Sequence, residues 1–230
     1  MLARFDPNRA ALETVALALG DLLDEMVFLG GAAVGLLVTD PAAPPVRITK
    51  DIDCIIEVAS RSDYFGRVRD SLVARGFVEM IGEDVPACAW GLGGVRLDVM
   101  PTDDSILGFP NPWFEHAIRH ADVFDLGKVE IQLVRVPDFI ATKMAAFQSR
   151  GRGDYLASHD IEDLIAVVDG RPSIVRDVQE SELSIRHHVS EILGNLVKDP
   201  GFLDAVPGHV IDPGRERIVL DRLKQLARSE

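Results

Sequence analysis

Apolar positions recur with a helical period from Pro7 to Met26. Leu12, Val15, Leu19, Leu22 and Leu23 share one face and predict an amphipathic helix. "VFLGG" then reads as a short strand ending in a glycine turn, and "AAVGLLV" as a short helix. A proline-rich loop, "TDPAAPPVRIT", leads into a strand over Asp51–Val58. The stretch "SRSDYFGRVRDSLVARGF" predicts a helix capped by Ser60 or Ser62 and ended by Gly76. "ACAWGLGGVRLDVMP" and "VFDLGKVEIQLV" predict two hairpins, turning at Gly91–Gly94 and near Gly127, with "TDDSILGFPNP" as a loop and "WFEHAIRHA" as a helical turn between them.

From Pro137 the pattern is helical. "PDFIATKMAAFQSR" opens with proline at a helix start. A loop "GRGDY" follows, and then a helix with Ser158 as N-cap, Ile161, Leu164, Ile165 and Val168 as its stripe, and Gly170–Pro172 as its stop. Helices around 177–196 and 214–228 complete the pattern. The prediction is an α+β protein. A mixed sheet with flanking helices occupies residues 1–136, and a helical bundle occupies residues 137–230.

One strand breaks the rule that strands exclude aspartate. Side chains alternate, so Ile52, Cys54, Ile56 and Val58 face one way while Asp51, Asp53, Ile55 and Glu57 face the other. Asp51 and Asp53 are then roughly 6–7 Å apart, a spacing at which two carboxylates ligate one divalent ion or bracket a pair. The ordinary alternative is a frayed strand start with Asp51 as a turn residue. Upstream, Gly30–Gly31 stands between a strand and a helix, where backbone N–H groups approach phosphates, or where a chain simply turns. Downstream, "GGVRLDVMP" puts Arg96, Asp98 and Met100 on one strand face, adding a third carboxylate.

The net charge is −13, which argues against a generic nucleic-acid binder but leaves room for a local basic pocket. The two cysteines, Cys54 and Cys88, lack a zinc-site spacing. The N-terminal stretch lacks a signal-peptide run, and no stretch reaches the ~18 apolar residues of a membrane helix. These features predict a cytoplasmic protein that does not enter a membrane.

Gly30-Gly31, Asp51-Ile52-Asp53 and Asp98, in that order, resemble the signature of the DNA polymerase beta-type nucleotidyltransferase superfamily. Within it the chain is similar to the AbiEii-type branch, which includes toxins of bacterial toxin–antitoxin systems. "GGAAVGLL", "RITKDIDCII", "PDFIATKMAAF" and "HDIEDLIAVV" carry that likeness over roughly residues 20–170. Ala32 departs from it, standing where a serine or threonine is often found.

The resemblance implies a nucleotidyltransferase-type sheet and metal-dependent transfer of a nucleotide from a nucleoside triphosphate to a hydroxyl. Asp51, Asp53 and Asp98 are the expected ligands of two Mg²⁺ ions. Gly30, Gly31, Lys50 and Lys143 are expected near phosphates, with Lys143 projecting from the edge of its apolar stripe into a cleft between the halves. A lysine snorkelling from that edge is the structural alternative. Asp160 is expected to help place the nucleotide, although acidic residues in a first helical turn also suit the helix dipole. Asp163 is expected to point more nearly away. Arg150 and Arg152 add a basic loop. The implied partners are a nucleoside triphosphate, an RNA acceptor (transfer RNA especially) and a cognate antitoxin. Two other readings remain: a small-molecule nucleotidyltransferase, and a non-catalytic binding protein of the same fold.

Overall fold

The computed structural model describes residues 6–83, 85–108, 111–150 and 153–229, with the side chains of Leu107 and Arg150 excepted. Its strands are β1 (Met26–Leu29), β2 (Asp51–Ile56), β3 (Val78–Glu79), β4 (Ala89–Leu92), β5 (Val95–Pro101), β6 (Asp122–Asp125) and β7 (Glu130–Leu133). They lie in the order β3-β4-β5-β2-β1-β7-β6. β2 runs parallel to β5 and β1 parallel to β7, while the other neighbours are antiparallel, so the sheet is mixed. All four residues of β1 are buried, as expected of a central strand covered on both faces. β2 alternates in burial at its start and becomes fully buried at Cys54, Ile55 and Ile56. The hairpin between β4 and β5 pairs Leu92 with Val95 across Gly93 and Gly94. Both glycines have positive φ, the conformation a two-residue hairpin turn requires.

The first six helices are α1 (Arg9–Leu19), α2 (Gly30–Leu37), α3 (Arg61–Asp63), α4 (Arg69–Ala74), α5 (Asp104–Leu107) and α6 (Phe114–His120). The helix predicted over Pro7–Met26 stops at Leu19, because Gly20 adopts φ +54, and continues as a 3₁₀ turn over Gly20–Glu25. The helix predicted after Ser60 is interrupted by a π-helical segment, Tyr64–Val68, between α3 and α4. Ser60 caps it by accepting from the Asp63 N–H at 3.1 Å. The stretch read as a loop at 102–112 contains α5, capped by Asp103.

The remaining helices are α7 (Val136–Arg150), α8 (His159–Gly170), α9 (Ile174–Gln179), α10 (Leu183–Leu196), α11 (Pro200–His209) and α12 (Glu216–Leu226). Ser158 caps α8 as predicted. The single helix read at 177–196 is two, α9 and α10. α11 escaped prediction because Pro200, Gly201, Pro207 and Gly208 break its pattern, yet Pro200 occupies a first-turn position that needs no N–H.

The chain forms two compact units. One comprises residues 7–33 and 47–135 and holds the sheet. The other comprises residues 34–46 and 136–229, with Asp6. Residues 34–46 are fastened to the helical unit by backbone bonds: Thr39 and Asp40 N–H both donate to the Gly170 carbonyl at 2.9 Å. Arg171 donates to the Leu37 carbonyl at 3.1 Å. No described helix is long and apolar enough to cross a membrane.

Candidate functional site

β1 pairs with β2 so that Leu29 lies opposite Asp53. The chain leaving β1 therefore enters α2 beside the Asp53 side chain. Gly30, the first residue of α2, has φ +71, and a β-carbon there would coincide with the Asp53 carboxylate. Glycine is required on both counts. The carboxylate thus sits against the opening of α2, where backbone N–H groups lack intrahelical acceptors and the helix dipole is positive. Gly30 and Gly31 are both buried.

The parallel register of β2 and β5 pairs Asp51 with Arg96 and Asp53 with Asp98. Laterally paired residues point to the same face of a sheet, and so do residues two apart along a strand. Asp51, Asp53, Arg96 and Asp98 therefore occupy the corners of one patch on one face. The structure brings the three sequence-predicted carboxylates to that face. They do not form a group whose ligand oxygens all lie within 4.8 Å of one another.

Arg96 had no assigned role in the sequence reading. Its Nε donates to Asp98 Oδ1 at 2.7 Å and its Nη2 to Asp98 Oδ2 at 2.5 Å. Asp98 is only 6 % exposed. The Asp98 hydrogen bonds raise the Arg96 pKa against the effect of burial, so the guanidinium stays charged. The sequence signal was present: opposite charges two apart on a strand share a face.

Burial, and then the charges of Asp53 and Asp98, push the Cys54 thiol well above its usual pKa. Burial and the charges of Asp98 and Asp53 push Cys88 up to about 12. Both thiols are protonated at neutral pH, so neither is a nucleophile. The chemistry-bearing atoms of the patch are carboxylate oxygens, a donor set that suits a hard divalent cation such as Mg²⁺.

Asn8 is a second residue that the sequence reading missed. It is 3 % exposed. Its amide donates to the Arg47 carbonyl and accepts from the Thr49 N–H, both at 3.0 Å, fixing the segment that delivers Asp51. The helix predicted over Pro7–Met26 takes in Asn8, which hid this role. Lys50 is exposed immediately before β2.

In the helical unit, α7 presents Lys143 to α8. Lys143 Nζ lies 3.2 Å from Asp160 Oδ1 and 2.7 Å from Asp163 Oδ2. All three side chains are at least nine-tenths buried, and Asp163 is the most enclosed. The expectation that Asp163 points away is therefore corrected: it is the closer partner of Lys143. The Arg150 side chain and Arg152 lie outside the described residues.

No protein-family model, curated protein or solved structure matches the chain.

Proposed function

We propose that the chain is a metal-dependent nucleotidyltransferase that moves a nucleoside monophosphate from a nucleoside triphosphate to an acceptor hydroxyl. The observation that carries this reading is the patch itself. Asp51, Asp53 and Asp98 share one sheet face, and Asp53 abuts the glycine-opened start of α2. The nucleotidyltransferase arrangement of sheet and helices belongs to the same proposal.

Asp51 and Asp53 are the proposed ligands of Mg²⁺, joined by Asp98. Bound there, Mg²⁺ would neutralise triphosphate charge and lower the pKa of an attacking hydroxyl. The chain's own part is positioning. Backbone N–H groups at Gly30 and Gly31 offer donors to phosphate oxygens at a positive helix end. Exposed Lys50, next to Asp51 in the chain, adds positive charge. An acceptor oxygen held in line with the α-phosphorus forms the new ester as pyrophosphate leaves, and catalysis is mainly orientation and charge stabilisation.

The proposed acceptor is an RNA 3′ end, as in AbiEii-type toxins, with a cognate antitoxin as a further partner and the cytoplasm as the setting. The net charge of −13 suits capture of a terminus better than a long phosphate track. The test is label transfer from each α-labelled nucleoside triphosphate with Mg²⁺ onto total RNA, and then onto protein extract. Label on RNA that is absent with Asp53→Asn supports the reading. Mg²⁺-dependent triphosphate binding with no transfer to RNA, protein or small hydroxyl compounds overturns it.

A further inference from the structure

We propose that Arg96 is a resident counter-cation of Asp98: it clamps that carboxylate in the metal-free protein and is displaced when a divalent cation binds. The inference rests on the metal-binding reading above and deepens it with a positioning residue.

Asp98 lies on β5 between β2 and β4, at 6 % exposure. A carboxylate so enclosed is costly unless a cation pairs with it. Its lateral neighbour on β2 is Asp53, which raises that cost, and Asp51 stands at the next corner. Arg96 is the one cation among these four corners. It engages both Asp98 oxygens at once, at 2.7 and 2.5 Å, the bidentate geometry in which a guanidinium binds a carboxylate best.

A dication and this guanidinium compete for the same charge. Both claim oxygens of Asp98, and the two cations repel each other at this spacing. The Arg96 side chain is 26 % exposed, so it has a route towards solvent that the buried Asp98 side chain lacks. The pair is also local. Both residues sit on β5, so the clamp opens by rotation of one side chain without breaking the sheet.

The clamp also accounts for the absence of a gathered three-carboxylate cluster. With both oxygens of Asp98 held by Arg96, the carboxylates share a face without converging. Displacement of Arg96 is the step that lets Asp98 join Asp51 and Asp53.

The test compares wild type, Arg96→Gln, Arg96→Lys and Asp98→Asn without nucleotide. Mn²⁺ is titrated by calorimetry, and thermal midpoints are read in EDTA and at saturating Mn²⁺. Arg96→Gln should bind Mn²⁺ about tenfold tighter than wild type, the scale on which outer partners tune metal sites. It should melt below wild type in EDTA, and Mn²⁺ should close most of the gap. Arg96→Lys keeps a charge without the fork and should fall between the two, which preserves the test if the glutamine variant folds poorly. Asp98→Asn should bind Mn²⁺ more weakly than wild type. Equal or weaker Mn²⁺ binding by both Arg96 variants, or a melting gap unchanged by Mn²⁺, overturns the clamp. Failure of every variant to bind Mn²⁺ overturns the clamp and the metal reading together. Competition observed without nucleotidyl transfer sustains the clamp and overturns the proposed reaction.

Discussion

The Asp53 carboxylate occupies the space that a β-carbon on Gly30 would need. A strand residue and a helix-opening residue 23 positions apart in sequence are thereby locked to each other, Gly30 through its missing side chain and Asp53 through its charge.

Gly30→Ala is expected to disable the patch. The left-handed φ of +71 costs about 1–2 kcal/mol for a residue with a β-carbon. The collision forces Asp53 aside, and misplacement by about 1 Å lowers catalysis on the order of 100-fold. Gly94→Ala provides the control. Gly94 has φ +86 but nothing within 4 Å of an added β-carbon, so it incurs only the backbone cost. Thermal melts and Mn²⁺ titration check both variants. A larger loss of stability in Gly30→Ala than in Gly94→Ala, with loss of Mn²⁺ binding in Gly30→Ala alone, is the expected pattern, and equal Mn²⁺ affinity in the two would refute it.

The same pair shows how far the sequence could be read. Asp51, Asp53 and Asp98 were legible because alternation along a strand fixes which side chains share a face, and aspartate flanked by apolar residues is conspicuous. The α+β class was legible for a similar reason, since hydrophobic periods change near Pro137. The register that sets Asp98 beside Asp53 was not legible. β2 and β5 are parallel neighbours separated by two intervening strands in sequence, and no local pattern encodes that pairing. Attachment of residues 34–46 to the helical unit was equally hidden, because it rests on the Gly170 carbonyl and on Arg215. Asp163 was misread because its angular position on the helix places it farther from the apolar stripe than Asp160, whereas it is buried against Lys143.

Lys143 is expected to be a large contributor to folding stability. Its ammonium is shared by two buried carboxylates, so Lys143→Met takes a close cation away from both. Breaking a buried ion group by removing one partner costs about 3–5 kcal/mol. Asp163→Asn should destabilise more than Asp160→Asn, because Asp163 is both closer to Lys143 and less exposed. Urea unfolding of the three variants measures this order. A loss below about 1 kcal/mol for Lys143→Met, the scale of an exposed pair, would show that the group does not hold the helical unit together.

Acid sensitivity is expected to involve the bridge between Asp40 and Arg215. Arg215 Nη2 donates to Asp40 Oδ2 and its Nε donates to Asp169 Oδ1, both at 2.6 Å. The hydrogen bond from Arg215, followed by one from the Ala42 N–H, holds the Asp40 carboxyl below the ordinary value of 3.8. At a pH between the lowered folded value and 3.8, the unfolded chain binds more protons at Asp40 than the folded chain does. Stability from this bridge is therefore fully present above the ordinary value and is lost as pH falls through the folded one. Asp40→Asn should melt below wild type at pH 7, and the gap should shrink as pH is lowered below 3.8. Thermal midpoints of the two proteins measured from pH 7 to pH 3 decide the matter, and a gap that stays constant across that range would exclude Asp40 as a source of the acid response.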